Sequence, residues 1–363
     1  MPDEIKTKLL IVDDSRIFRS AVEECLTGEE DIEVVGSVWN GEKAIEFIRS
    51  SPPDLVTLDI EMPGMDGLET LKAIQKINAS GHPSKPIGVI MLSSYTQKGA
   101  DITVRALEIG AFDFIPKPEG KSLRESIEIL RHQLSVKIRN FASKSISPRL
   151  EEPRIIIPVT PEPAPEIPVS SRIKSIIIGV STGGPKALTE ILPPMCEQVD
   201  VPILIVQHMP PTFTESLARS LNAKCRHTVI EGVHDDIVRK KYVYIAPGGR
   251  HMLLMKKRQT VRTIINDQPP EKGCKPSVDI LFRSSAAVYG NNTIAIILTG
   301  MGVDGTEGAR ILKRAGAYVI AQNEETSVVW GMPGSAKASG NVDKVMALDS
   351  IPRHVGAMMH ESK

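Results

Sequence analysis

The run Ile176-Ile177-Ile178-Gly179-Val180-Ser181-Thr182-Gly183-Gly184-Pro185 joins an apolar strand to a glycine-rich turn and a helix start. A serine on such a turn is exposed at the rim of a sheet, and the glycines let substrate and backbone approach closely. Pro185 suits a first helical turn, and the helix N-terminus offers unpaired N–H groups and a positive dipole end. Strands recur downstream at Ile203–Val206 and Ile294–Leu298, with shorter ones expected at Val229–Glu231, Val238–Ile245, His251–Met255 and Arg262–Asn266. This half is therefore expected to be a doubly wound α/β domain whose sheet is mostly parallel and mixed at one edge.

Upstream the same grammar holds. Leu9–Val12, Ile32–Val38, Leu55–Leu58, Ile87–Leu92 and Phe112–Ile115 are short apolar runs, each followed by a longer amphipathic segment. Strands with so little polar alternation suit a parallel sheet covered on both faces. Five such units make a small doubly wound, (βα)5 domain. Between the halves, seven prolines fall from Pro148 to Pro168 among glutamates. Proline removes backbone donors and fixes φ, so residues 142–171 are expected to form an extended spacer.

The totals narrow the function. At 363 residues two domains are expected. Zero formal net charge argues against a nucleic-acid binder. Cys25, Cys196, Cys225 and Cys274 lie far apart, with no C-x-x-C pair among them. They are expected to be reduced, buried thiols of a cytoplasmic protein rather than zinc ligands. The charged start, Met1 to Lys8, carries no signal-peptide core, and no apolar run approaches the roughly 18 residues of a membrane span.

Two constellations carry chemistry. In the first half, Asp13 and Asp14 follow the first strand and Asp59 ends the third. Carboxylates that converge at strand ends repel and raise one another's pKa, and Mg²⁺ resolves the conflict. Ser93 ends the fourth strand, and Lys117 follows the fifth and brings a cation to the same rim. In the second half, the turn at Ser181 admits three readings: a nucleophile elbow, a dinucleotide-binding turn, or a tight turn carrying a cap serine. A dinucleotide site wants an acidic residue at the end of the next strand, where this chain has Gln207-His208. Leu298-Thr299-Gly300-Met301-Gly302-Val303-Asp304-Gly305 is another strand opening into a glycine turn. Ser181, His208 and Asp304 at three strand ends favour a triad, in an order unlike that of α/β-hydrolases. His251 is the rival base; His227 and His234 are expected at the surface.

At Val12-Asp13-Asp14-Ser15, Asp59-Ile60-Glu61-Met62-Pro63-Gly64-Met65-Asp66-Gly67, Ser93-Ser94 and Lys117-Pro118, residues 7–125 resemble the flavodoxin-like receiver domain of bacterial response regulators. The resemblance implies that Asp59 accepts a phosphoryl group from a histidine kinase, with Asp13 and Asp14 helping to hold Mg²⁺. Lys117 would pair with the phosphoryl group, and Ser93 and Phe114 would be the switch pair. Residues 126–171 are then a helical extension and linker.

Residues 172–363 resemble the catalytic domain of the chemotaxis methylesterase family, CheB, through Gly179-Val180-Ser181-Thr182-Gly183-Gly184, Gln207-His208-Met209, Ile245-Ala246-Pro247-Gly248-Gly249-Arg250-His251-Met252, Pro276-Ser277-Val278-Asp279 and the turn through Asp304. Val180 stands where alanine is expected. The resemblance implies a cofactor-free hydrolase of glutamyl methyl esters on methyl-accepting chemoreceptors, also deamidating receptor glutamines. Ser181 would be nucleophile, His208 base, Asp304 its partner and the Met301 backbone an oxyanion donor. CheA would be the phosphodonor, the receiver would cover the esterase until phosphorylated, and no direct membrane insertion is implied. The chain would work in the cytoplasm beside chemoreceptor clusters. A non-catalytic regulator and a DNA-binding regulator are the competing functions; the second needs a basic helix-turn-helix after the spacer, where a new α/β pattern begins instead.

Overall fold

A computed structural model describes residues 6–81, 83, 85–118, 123–146 and 173–360. The first half runs β1 (Thr7–Val12), α1 (Arg16–Leu26), β2 (Ile32–Val38), α2 (Gly41–Ser50), β3 (Leu55–Asp59), α3 (Gly67–Ala79), β4 (Gly88–Ser93), α4 (Gln97–Ile109), β5 (Asp113–Pro116) and α5 (Leu123–Ile146). Its strands pair in parallel in the order β2-β1-β3-β4-β5, so strand order reverses between β1 and β3. Consecutive residues of β1 feed opposite cores: Leu10 and Val12 join one apolar cluster, Leu9 and Ile11 another beneath α1 and α5. That is the arrangement an unbroken apolar strand predicts.

Side-chain caps fix where the helices begin. Ser15, Asn40 and Thr96 each accept a backbone N–H of the first turn, and Asp66 and Glu69 form a reciprocal capping box ahead of α3. Each such cap contributes about 1 kcal/mol. The break expected from residue 142 comes later, because α5 continues to Ile146 with Leu130, Leu134, Ile138 and Phe141 buried one to two turns apart. The rest of the proline-rich spacer lies outside the described residues.

The second half contains β6 (Ser175–Val180), α6 (Gly184–Gln198), β7 (Ile203–Gln207), α7 (Phe213–Asn222), β8 (Thr228–Glu231), β9 (Asp236–Ile237), β10 (Tyr242–Ile245), β11 (His251–Lys257), β12 (Thr260–Asn266), α8 (Val278–Tyr289), β13 (Thr293–Ile297), α9 (Thr306–Arg314), β14 (Tyr318–Gln322), α10 (Gly331–Ala338), β15 (Lys344–Met346) and α11 (Ile351–His360). Seven strands form one sheet in the order β15-β14-β13-β6-β7-β10-β8, every pairing parallel. The expected mixed edge is absent from it. The antiparallel pairs belong to a separate three-stranded sheet, β11-β12-β9.

The expected strand Val238–Ile245 is strand only over β10, Tyr242–Ile245; β9 ends just before it at Ile237 and belongs to the other sheet. Lys241, at φ 61°, turns the chain between them, and β9 pairs with β12 while β10 enters the parallel sheet. β7 lies on one side of β6 and β13 on the other, so the crevice of the large sheet opens at the carboxyl end of β6. His227, expected at the surface, is 2 % exposed, whereas His234 is exposed as expected, with Nδ1 3.0 Å from the Ile265 carbonyl. Cys25 and Cys196 are buried, whereas Cys225 and Cys274 are half-buried. Among the described residues no helix is long and apolar enough to cross a membrane.

Candidate active site and its acidic partner

Hydrogen bonds tie the carboxyl ends of β6, β7 and β13 into one rim. Ser181 N–H donates to Thr299 O (3.0 Å), His208 N–H to Val180 O (3.1 Å) and Leu298 N–H to Gly179 O (2.9 Å). The elbow after β6 requires its glycines. Gly183 has φ 78°, and a Cβ on Gly184 would stand 1.9 Å from Gln207 Oε1. Gln207 itself donates to Ser181 O (2.9 Å), and Thr299 Oγ1 to Thr182 O (2.9 Å), so two buried side chains pin the carbonyls of the turn. A Cβ on Gly300 would sit 2.7 Å from the Ser181 Cβ, which is how closely the third loop approaches the serine. Sequence reasoning quoted Gln207 and Thr299 but gave them no part, because their partners are carbonyls that no motif exposes.

His208 and Asp304 meet directly: Nε2 lies 2.8 Å from Oδ2, with the imidazole 16 % exposed and the carboxylate 2 %. Asp304 accepts from five donors: His208 Nε2, Ser277 Oγ (3.0 Å), Val278 N (2.7 Å), Asp279 N (2.9 Å) and its following amide, Gly305 N (3.0 Å). Three of the five come from the N-terminus of α8, where unpaired N–H groups and the helix dipole favour an anion. Burial alone would raise the Asp304 pKa, but the histidine and these amides outweigh it and hold the carboxyl below its usual value. For His208, burial works against the charged ring. The Asp304 carboxylate and the Cys274 thiol beside it prevail and push the imidazole up to about 9.

A second buried carboxylate supports the first. Asp279 accepts from Gly305 N (3.0 Å) and Gly308 N (2.6 Å) at the start of α9 and is paired with Lys272 Nζ at 2.7 Å. The sequence held a signal for this in the acidic first turn of α8. His251 is fully buried and away from the rim: its Nδ1 accepts Ser277 N–H (3.2 Å) and its Nε2 bonds Pro269 O (3.1 Å). It braces the end of α8 that holds Asp304, which leaves no nitrogen for the rival role. Ser181 and His208 line the same cavity, and among the described residues Ser181 Oγ takes part in no hydrogen bond. The Met301 N–H likewise has no acceptor there.

At the other crevice, Lys117 Nζ lies 2.8 Å from Asp13 Oδ2 and 2.9 Å from Asp59 Oδ1. Asp13 and Asp59 are buried and Asp14 is exposed, with one carboxylate oxygen of each within 4.8 Å of the others. The Lys117–Asp13 contact is an ion pair outside hydrogen-bond geometry, so Asp13 Oδ2 is buried without a hydrogen-bond partner. An orphaned carboxylate oxygen beside two more carboxylates fits a hard divalent cation such as Mg²⁺. Burial first, then Asp13, raises the Asp59 pKa to about 6 against the pull of Lys117. Ser93 is fully buried, accepting from Thr103 Oγ1 (2.7 Å) and donating to Gly99 O (3.3 Å).

The first half lies across the serine rim. Thr182 Oγ1, next to Ser181, donates to Asp113 Oδ2 (2.9 Å), an oxygen also paired with Lys137 Nζ at 2.6 Å. Phe114 is 5 % exposed and its ring sits 4.6 Å from that of Phe213, the first residue of α7. On α4, Gln97 bonds Ser216, Asp101 pairs with Arg219, and Glu108 receives Ser220 and Lys224. Asn140 on α5 reaches Met301 Sδ. At the serine rim the halves enclose a cavity of about 180 Å³, lined by Asp113, Phe114 and Lys137 on one side and Ser181, Thr182 and His208 on the other. Asp113 carried no signal in the sequence, because Thr182, its partner across the joint, lies in the other half.

Comparison with known proteins follows the same division. Residues 176–355 match the family model for the CheB methylesterase, and residues 9–128 that for the response regulator receiver domain. The chain is 40 % identical over 362 residues to a protein-glutamate methylesterase/protein-glutamine glutaminase of Desulfotalea psychrophila, covering 96 % of this chain and 97 % of that one. A protein of the same description from Halalkalibacterium halodurans is 40 % identical over 348 residues, covering 96 % and 97 %. Among solved structures, the CheB methylesterase catalytic domain of Thermotoga maritima is 40 % identical with a TM-score of 0.50, covering 52 % of this chain and all of that one.

Proposed function

Because this chain belongs to the CheB methylesterase family, with a response regulator receiver domain in front, we propose that it demethylates glutamyl esters on methyl-accepting chemoreceptors under the control of aspartyl phosphorylation. The chain is a hydrolase, and the observation that carries the finer reading is the 2.8 Å His208–Asp304 contact on the rim it shares with Ser181. Asp304 accepts the Nε2 proton and so leaves Nδ1 as the lone pair that takes the serine proton. Ser181 Oγ then attacks the γ-carbonyl of the ester. The oxyanion falls to backbone donors, and the Met301 N–H is one that has no acceptor among the described residues. His208 protonates departing methanol, and water cleaves the acyl-enzyme by the same route. A general base contributes typically about 10²–10⁴-fold and an oxyanion donor about 10²–10³-fold. Glutamine deamidation needs the same acyl chemistry with ammonia leaving.

Regulation rests on the cover. A cavity of about 180 Å³ has no room for a receptor segment, so the halves must part for turnover. Asp59 is the proposed phosphoryl acceptor, with CheA the expected kinase. Asp13, Asp14 and Asp59 would hold Mg²⁺, which when bound offsets carboxylate and phosphoryl charge. Phosphorylation adds about two negative charges and three acceptor oxygens. Ser93 turning towards them opens space beside Phe114, and Phe114 is the residue stacked on Phe213 at the start of the helix that follows His208. A shift of a few kcal/mol in the closed–open balance changes activity many-fold.

The test is methanol release from methylated receptor membranes, with and without a small-molecule phosphodonor. Wild type is expected to release methanol and to be stimulated, and Ser181→Ala to release none while keeping its fold. Release by Ser181→Ala at the wild-type rate would remove the nucleophile and the mechanism with it.

A further inference from the structure

Cys274 belongs to no step of the esterase mechanism, yet the fold brings it to the base. It lies in the loop between β12 and α8, 66 residues along the chain from His208, so no sequence spacing marks the pair. Its Sγ, a ring nitrogen of His208 and a carboxylate oxygen of Asp304 all lie within 4.8 Å of one another. From this geometry we infer that His208, Cys274 and Asp304 form a Zn²⁺ site that switches the esterase off.

The donor set selects the metal. One thiolate, one imidazole and one carboxylate suit borderline-soft Zn²⁺ and disfavour Mg²⁺ or Ca²⁺, which seek oxygen. Three protein ligands with the fourth position open is the arrangement of an accessible zinc centre rather than a closed structural one. Access exists, because Cys274 is half-buried and the His208 ring is part-exposed. Asp304 is held in place by its amide and hydroxyl donors, and these remain when the metal takes the place of the proton shared with Nε2. Binding forms Zn–S, Zn–N and Zn–O bonds and releases the thiol proton to solvent, with a second proton where the ring is charged. Nothing is oxidised or reduced.

Inhibition follows from the ring's own inventory. A neutral imidazole has one nitrogen lone pair. Once the metal holds it, the other nitrogen carries the proton and nothing remains to accept the Ser181 hydrogen. The inhibitory consequence rests on the esterase reading; the binding site does not.

The experiment titrates full-length protein, in excess Mg²⁺ to fill the acidic pocket, with Zn²⁺ for activity and Co²⁺ for spectroscopy. One Co²⁺ per chain is expected to give a thiolate-to-cobalt charge-transfer band that Zn²⁺ displaces, and Zn²⁺ is expected to suppress methanol release. Ser181→Ala should keep the band. Cys274→Ser should lose it and weaken Zn²⁺ inhibition, relative to its own metal-free rate, by more than the roughly 10–100-fold that loss of an outer partner costs. Cys225→Ser serves as the control that keeps both. A band that survives in Cys274→Ser, or its absence from wild type, would overturn the site. Metal-free wild type that binds Co²⁺ with the band but releases no methanol would instead sink the esterase reading and leave the site standing.

Discussion

Two buried aspartates, Asp59 and Asp304, stand at the mouths of parallel-sheet crevices, yet their surroundings drive them in opposite directions. Asp59 has one backbone donor, one lysine and a neighbouring carboxylate, and its pKa climbs to about 6. Asp304 has five donors, most of them from a helix N-terminus, and its pKa falls. Burial is the largest influence on both and raises both, so the donors decide. A carboxylate left short of donors invites a cation and a phosphoryl group. One that is saturated serves as a fixed counter-charge for an imidazole.

The largest effect expected from this contrast is on Asp304. Asp304→Asn keeps the shape but places an amide against donors that need an acceptor, and it removes the charge that orients His208. Methanol release should fall about 10⁴-fold in kcat, the scale seen when the acid of a serine triad loses its charge. Asp59→Asn should leave the unstimulated rate near wild type while abolishing phosphodonor labelling and stimulation. If the two variants were alike in their effect on unstimulated turnover, the division of labour between the two aspartates would be gone.

Titration sharpens the same comparison. With divalent cations removed, carboxyl NMR should show Asp59 half-protonated near pH 6 and Asp304 still ionised below the usual carboxylate range. Added Mg²⁺ should pull the Asp59 value down. The base must be neutral to act, and its pKa is raised to about 9. Hence kcat/KM should fall as pH drops below about 9, by about tenfold per unit. A profile flat from pH 7 to 9 would break the link between the His208–Asp304 contact and its electrostatic consequence.

Much of this was legible in the sequence because both crevices obey one rule. Unbroken apolar runs such as Ile176–Ile178 announce buried parallel strands, and chemistry-bearing residues placed directly after them must share a rim. Asp13, Asp59, Ser181 and His208 all lie at or just beyond such ends. Asp304 is several residues past its strand, and only the turn motif led to it. The donors around it, the brace of His251 and the carbonyl pinning by Gln207 were not legible, since backbone partners have no identity in a sequence. Nor were Cys274 and Asp113, each of which acquires its neighbours only through long-range packing. Val238–Ile245 misled for a local reason: the β-prone run Tyr242–Ile245 was extended back through Arg239, Lys240 and Lys241, where the positive φ of Lys241 turns the chain between β9 and β10.

A smaller effect is expected where the two halves touch. Phe114→Ala deletes the ring stacked on Phe213. Aromatic pairs contribute about 0.5–1.5 kcal/mol beyond the area they bury, so the closed state should lose enough to raise unstimulated methanol release about tenfold. Asp59 should still accept label, which checks that the receiver has kept its fold. An unstimulated rate unchanged by this variant would uncouple the acidic crevice from the serine crevice at the contact that best joins them.

The smallest expected effect tests the joint at a single hydrogen bond. Thr182→Val keeps the volume and the backbone carbonyl that Thr299 holds, and removes only the hydroxyl that donates to Asp113. Asp113 retains Lys137, so no carboxylate is left bare. The net worth of such a bond is about 1 kcal/mol, which corresponds to a roughly fivefold rise in unstimulated turnover. Where the phosphodonor opens every molecule, the stimulated rate should not change, because the open state lacks the contact. That invariance also shows that the elbow beside Ser181 is undisturbed. Combining Thr182→Val with Phe114→Ala should bring the unstimulated rate no higher than that of wild type opened fully by saturating phosphodonor, since an open fraction cannot exceed one. A double variant that passed this ceiling would mean that the receiver does more to the esterase than cover it.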